Sequence, residues 1–338
     1  MALDGKILAK AKKALEKKRD QREILLESRR STIYKQIPRV REIDSELRDH
    51  MAEYFSIAFD NGSEIRKQDI IEKNKKLQEE RRNSILDSGL PVIYLDDSPY
   101  ICKRCSDTGW IELTMCKCLE EIYKEEQRVS LSNLFKLGKE TFDSFDLSYY
   151  SDIPVPDTNI SPRQSMEVVY EICVEYARKF GNNSMNLFFN GAPGLGKTFL
   201  SACIARVVAD NGFSVVYNTA ASVFSKFEDA KFMRTQDSDE SREIVSDSRD
   251  EIKRYLECDL FIIDDLGTEM TTAFTIEVLY EIINTRLITG RKTLINSNLT
   301  LGELRRRYSE QIMARLEGEY QVLTFYGEDI RKKRKELL

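Results

Sequence analysis

Two patterns of apolar positions divide this chain. From about residue 163 onward, short apolar blocks alternate with longer amphipathic stretches. Met185–Asn190, Val215–Tyr217, Leu260–Ile263 and Thr293–Ile295 read as buried strands, and Phe199–Val208 reads as a helix directly after the first of them. Strands alternating with helical segments are the pattern of a parallel α/β sheet. The first 85 or so residues look different. They are rich in Lys, Arg, Glu, Leu and Ile, with proline only at Pro38, and their apolar faces are intermittent: Ile7, Leu8 and Leu15, then Ile24, Leu25 and Leu26. This is helical composition with a stripe too thin to bury much core alone. It fits solvated helices and a partner-binding helical module equally well. Between the two regions, residues 121–162 read as a connector: a charged helix, then Thr141–Asp146, then a stretch holding Pro154, Pro156 and Pro162. Thr235–Glu251, dense in Ser, Asp, Glu and Arg, reads as a solvated loop or helix start. The expected division is 1–98 helical, 99–120 a cysteine module, 121–162 linker and 163–338 an α/β domain.

Composition narrows the classes. At 338 residues two or three units are expected, and 41% hydrophobic content is enough for a core. The net charge of −5 excludes a general polycation, so any nucleic-acid contact must be a local patch. No apolar run approaches membrane-spanning length, and Met1–Lys6 carries no apolar signal-peptide core, so a cytosolic protein is expected.

Four of the seven cysteines crowd into Cys102-x-x-Cys105 and Cys116-x-Cys118, ten residues apart, with Asp107, Thr108, Gly109 and Trp110 in the intervening turn. Two cysteine knuckles on a hairpin close a tetrahedral S₄ site for Zn²⁺, and four thiolates leave no open position for catalysis. Cys173, Cys203 and Cys258 sit on apolar faces and read as core. His50 lies in the charged region and carries no assigned role.

The densest chemistry is Gly191-Ala-Pro-Gly-Leu-Gly-Lys-Thr198, a fit to G-x-x-x-x-G-K-[ST] between a strand and a helix. Glycines let backbone N–H groups curl round a phosphate, and the helix N-terminus adds positive dipole character. Gly191, Gly194, Leu195, Gly196, Lys197, Thr198 and Phe199 are the expected ATP-binding residues, with Lys197 on the β/γ-phosphates and Thr198 on Mg²⁺. Leu260–Asp265 is an apolar strand ending in two acids, expected to lie beside the P-loop strand. Asp264 is then the Mg²⁺ residue, directly or through water, and Asp265 orients or activates the attacking water. Glu269 lies nearby and ranks below Asp265. Thr293–Asn298 ends in amides, of which Asn298 is preferred over Asn296 for positioning water or touching the γ-phosphate. Leu304–Tyr308 and Ile312–Leu316 suggest a helix with a basic side, either solvated or offering an arginine to a neighbouring subunit. The run Arg331–Lys335 fits a tail, a phosphate sensor or a nucleic-acid patch.

From about residue 100 to the end, these pieces in order resemble the bacterial helicase loaders of the DnaC/DnaI type, AAA+ ATPases related to the IstB transposition helpers. Thr141–Asp146 looks like the family's motif ahead of the core, Asn190–Thr198 is similar to its Walker A, Ile262–Gly267 to its Walker B and Ser297–Thr300 to its sensor 1. The Cys102–Cys118 module looks like that of the DnaI-like branch and is not expected in IstB-like helpers. The resemblance implies an AAA+ P-loop fold and ATP hydrolysis. It makes Arg315 the arginine finger and Arg331 the sensor 2 residue, and sets Phe232 near a single-strand-binding aromatic. It implies a hexameric DnaB-type replicative helicase and single-stranded DNA as partners, and self-association through the ATPase domain. A transposase-assisting ATPase and a zinc-dependent adaptor that binds nucleotide only as a switch share the same residues.

Overall fold

A computed structural model describes residues 3–59, 64–135, 140–155, 159–232 and 239–332. Its contacts form two compact units, Lys12–Leu119 and Met1–Ala11 with Glu120–Leu338.

The Lys12–Leu119 unit is helical. It holds most of α1 (Gly5–Gln36), then α2 (Pro38–Phe59) and α3 (Glu64–Asp87). Arg39 pairs with Glu80, Asp44 with Arg81, and His50 Nδ1 meets Asn74 Oδ1 at 2.7 Å, so α2 and α3 run antiparallel. Ile33, Val40 and Ile85 are buried together, with Tyr34, Ile37 and Tyr94 packed on them. That is a small core for three long helices, and Ile24, Met51, Phe55 and Ile65 are left exposed. A two-residue-per-strand hairpin, β1 (Trp110–Ile111) and β2 (Thr114–Met115), carries the cysteine module.

The larger unit is a parallel sheet covered on both faces. In chain order its elements are α4 (Lys117–Phe135), α5 (Pro162–Arg178), β3 (Asn186–Gly191), α6 (Lys197–Asp210), β4 (Val215–Thr219), α7 (Ala220–Phe232) and α8 (Asp239–Glu257). They continue with β5 (Leu260–Leu266), α9 (Ala273–Ile288), β6 (Lys292–Ser297), α10 (Leu301–Arg307), α11 (Glu310–Glu319) and β7 (Tyr320–Phe325). The strand order is β4-β5-β6-β3-β7, every pairing parallel. This corrects one expectation: the strand ending in Asp264 and Asp265 is not beside the P-loop strand, because β6 lies between them. The continuous apolar strands follow from burial on both faces. Leu187 and Phe189 point into one layer with Leu200 and Ile204 of α6, while Phe188 points into the other with Leu279 and Ile283 of α9. Cys173 and Cys258 sit one in each layer, and Cys203 is buried too.

Local signals set the helix ends. Ser161 caps α5 with Pro162 at its first position, and Gln164 completes the capping box. The basic stretch expected as one helix is two. Tyr308 leaves helical geometry at φ −113°, ψ 166°, and Ser309 caps α11 by accepting from the Ile312 N–H. Thr235–Glu251 falls largely within α8, and 233–238 lie outside the described residues. Among the described residues no helix is long and apolar enough to cross a membrane.

Candidate nucleotide and metal sites

The P-loop is shaped by close backbone approach. A Cβ on Gly191 meets the Phe325 carbonyl oxygen at 2.4 Å, and one on Gly194 meets the Asp329 carboxylate at 1.9 Å. Both glycines have positive φ, 143° and 81°, so side chains are excluded on two counts. The loop is braced from outside: Tyr150 Oη donates to the Leu195 carbonyl at 2.9 Å, and the Ile330 N–H donates to the Gly194 carbonyl at 3.1 Å. Phe145, from the motif ahead of the core, lies against Tyr170, Tyr150 and Phe199. Lys197 is buried, and its ammonium donates to the Gly191 and Ala192 carbonyls at 2.6 and 2.8 Å. Burial pulls its pKa down to about 8, with Arg331 adding to the shift and Asp264 and Asp265 opposing it.

Asp264 is buried at the end of β5, and both its oxygens are engaged. Oδ2 accepts from Thr198 Oγ1 at 2.9 Å and from Tyr217 Oη at 2.8 Å. Oδ1 accepts from Asn296 Nδ2 and from the Asp265 N–H, each at 2.9 Å. Asp265 is half-exposed and turned into the left-handed region at φ 57°. Burial, then the neighbouring Asp264 charge, raises its pKa above the ordinary carboxylate value. Asn298 Nδ2 approaches Asp265 Oδ1 at 3.4 Å. Glu269 is engaged elsewhere, accepting from the Tyr308 hydroxyl and, at 2.9 Å, from the Gly267 N–H.

These groups share one cavity of about 950 Å³, lined by the P-loop, Thr198, Phe199, Tyr217, Asp264, Asp265, Asn298, Arg331 and the Phe145–Tyr149 side. The volume suits a nucleotide. A hydroxyl and a carboxylate 2.9 Å apart are hard oxygen donors, which suits Mg²⁺. Gly191 to Phe199, Asp264, Asp265, Asn298 and Arg331 are thus brought together. Arg315 is elsewhere, on α11: it lies over the Tyr280 ring at 4.6 Å and bonds Asn284 Oδ1 at 2.8 Å and the Gln311 carbonyl at 3.0 Å. Phe232 ends α7, and its side chain lies outside the described residues, as does the basic run from 333 on.

Sequence reasoning missed Tyr217, and it placed Asn296 second to Asn298. Tyr217 did carry a signal, since a tyrosine closing a buried Val-Val-Tyr run needs a partner for its hydroxyl.

The four cysteine ligand atoms lie within 4.8 Å of one another. Cys102 Sγ is 3.8 Å from Cys116 Sγ, and Cys105 Sγ is 3.4 Å from Cys118 Sγ. A tetrahedron of sulfurs at the usual Zn–S distance has edges of about 3.8 Å, so this donor set fits zinc. Asp107 builds the knuckle, its carboxylate accepting from the Ile101 and Cys102 N–H groups at 2.8 and 2.7 Å. Gly109 closes the turn, and a Cβ there meets Leu119 at 2.8 Å.

Residues 171–337 match the family model of IstB-like ATP binding proteins. The replicative helicase loader DnaC of Buchnera aphidicola subsp. Baizongia pistaciae is 29% identical over 160 residues, 47% of this chain and 61% of that protein. DnaC of Escherichia coli K12 is 26% identical over 142 residues, 42% of this chain and 54% of that one. The chain thus spans little more than half the length of these relatives. A crystal structure of the DnaC helicase loader aligns with a TM-score of 0.43 at 17% identity, covering 55% of this chain and 97% of that one. Residues 171–337 are thus similar to IstB-like ATP binding proteins, and the chain shares 26–29% identity with DnaC replicative helicase loaders over 142–160 residues.

Proposed function

We propose that this chain is an ATP-dependent loader of a hexameric DnaB-type replicative helicase onto single-stranded DNA. The reading of the ATPase rests on one observation above others, the 2.9 Å contact of Thr198 Oγ1 with Asp264 across the P-loop and the β5 end. In this reading the P-loop N–H groups and Lys197 bind the triphosphate, and Thr198 and Asp264 hold Mg²⁺. The metal, when bound, neutralises developing phosphate charge. Asp265 orients the attacking water and accepts its proton, with Asn298 fixing the carboxylate. Arg331, which lines the same cavity, is the proposed γ-phosphate contact, and Arg315 serves the site of a neighbouring copy. Catalysis is positioning and charge neutralisation, without a covalent intermediate.

The loading role is supported by the two DnaC relatives, both named as replicative helicase loaders. The helical Lys12–Leu119 unit, with its exposed Ile24, Met51, Phe55 and Ile65, is the proposed helicase-binding part. Its cysteine module, held with Zn²⁺, keeps residues 99–120 ordered. The core binds single-stranded DNA and self-associates, and hydrolysis times the release of DNA and helicase. Co-purification with a replicative helicase, with and without ATP, tests this. ATP-dependent retention of the helicase is expected, and its loss on deleting residues 1–120 places the contact. The match to the IstB-like model favours one second reading, a transposase-assisting ATPase. Retention of a transposase and no helicase makes that reading the correct one.

A further inference from the structure

Asp264 is clamped from three elements at once. Tyr217 comes from β4, Asn296 from β6 and Thr198 from α6, and β4 and β6 are the two strands that flank β5. Thr198 and Asp264 are the expected Mg²⁺ residues; the other two have no place in that chemistry. Yet both are buried, and both spend their polar groups on the same carboxylate. The Asn296 amide faces Ser201 on its other side: the Ser201 hydroxyl lies 2.9 Å from Asn296 Oδ1 and also 2.9 Å from the Lys197 carbonyl, its two candidate acceptors. With that oxygen facing Ser201, the Asn296 NH₂ faces Asp264. On the other side, the Tyr217 hydroxyl shares Asp264 Oδ2 with Thr198 Oγ1. The Thr198 hydroxyl proton is directed at Asp264, which leaves its oxygen lone pairs free for a cation. Tyr217 supplies the second donor to the same oxygen, which would hold the carboxylate in place with a cation on Thr198 Oγ1.

We propose that Tyr217 and Asn296 are positioning residues for the divalent cation, holding Asp264 so that it and Thr198 present one preformed pair of oxygens. This rests on the ATP-site reading above. Tyr217 lines the cavity and Asn296 lies behind it; in this assignment both act through Asp264. Partners that orient a metal-binding carboxylate typically carry 10–100-fold in metal affinity.

The test separates metal from nucleotide. The affinity of the full chain for a fluorescent ATP analogue is measured in EDTA and across a MgCl₂ titration. Tyr217→Phe keeps the ring and removes only the hydroxyl. It is expected to leave the EDTA affinity unchanged and to raise the half-saturating Mg²⁺ by about tenfold. Ser201→Ala removes a hydroxyl that contacts Asn296 Oδ1 and the Lys197 carbonyl but neither the Asp264 nor the Thr198 side chain; it is expected to shift the Mg²⁺ midpoint in the same direction by freeing the Asn296 amide, with the EDTA affinity unchanged. Thermal unfolding of both variants verifies that they are folded. An unmoved Mg²⁺ midpoint in both folded variants overturns the assignment, and so does an equal loss of affinity in EDTA, which makes Tyr217 a lining residue only. Wild-type protein that binds no nucleotide under either condition overturns the ATP-site reading itself.

Discussion

Asp265 holds its position against a backbone preference. At φ 57° it occupies a region most L-residues avoid, tolerated best by Asn and Asp, and its N–H is spent on the Asp264 carboxylate while its carbonyl accepts from Thr268. The turn lifts its side chain out of the sheet toward the cavity while Asp264 stays buried. Two adjacent acids thereby acquire different surroundings. Asp265→Asn retains the size and the left-handed tolerance and removes only the charge. Turnover is expected to fall by about 10²–10⁴-fold, the usual contribution of a positioned base, with ATP affinity kept; single-turnover hydrolysis beside equilibrium binding measures both. Lys197→Ala is expected to do the reverse, weakening ATP binding at least tenfold. Normal affinity in that variant means the Gly191–Thr198 loop is not a triphosphate site.

At the scale of elements, the first turn of α1 is built into the larger unit. Asp4 is buried, caps the helix by accepting from the Lys6 and Ile7 N–H groups, and receives Arg254 Nε of α8 at 2.6 Å. Lys6 reaches Asp247 and Glu251 on the same helix at 2.6 and 2.7 Å. The lysine pairs are partly exposed and contribute little. The Asp4 contacts are not: a lost cap costs about 1 kcal/mol and a lost hydrogen bond to a charged group about 1.5–3 kcal/mol. Asp4→Ala is therefore expected to destabilise this unit by about 3 kcal/mol, read as a lower urea midpoint at unchanged slope. Asp4→Asn, which keeps the cap, is expected to lose less. Arg286 of α9 is a second such joint: fully buried, it donates to the carbonyls of Tyr255, Cys258 and Lys292 and lies over the Phe261 ring.

At the scale of the whole molecule, two predictions follow the division into units. A strong chelator is expected to release one zinc per chain and loosen the Lys12–Leu119 unit, seen as faster amide exchange in residues 99–120, while nucleotide binding by the larger unit persists. A four-thiolate zinc contributes on the order of 10 kcal/mol to ordering so small a module. Arg315 tests assembly. Its guanidinium has protein partners, Asn284, Tyr280 and the Gln311 carbonyl, on α9 and α11 rather than at the P-loop of its own chain. Arg315→Ala is expected to bind ATP normally and hydrolyse it at least a hundredfold more slowly. Mixing it with Lys197→Ala is expected to restore turnover, because each variant supplies what the other lacks. No recovery on mixing means that Arg315 does not serve a neighbour's site.

The sequence by itself determined what is written in contiguous residues. The Gly191–Thr198 loop, the Asp264–Asp265 strand end, the cysteine knuckles and the α/β alternation each depend on local geometry: glycine φ, strand period and ligand spacing. Tertiary structure decided what depends on pairing between distant segments. The insertion of β6 between β3 and β5 is a matter of strand order, which chain order does not encode. That same order brings Tyr217 and Asn296 onto Asp264, 47 and 32 residues away in the chain, so a carboxylate that the sequence pairs only with Thr198 is also held by its neighbours on both sides.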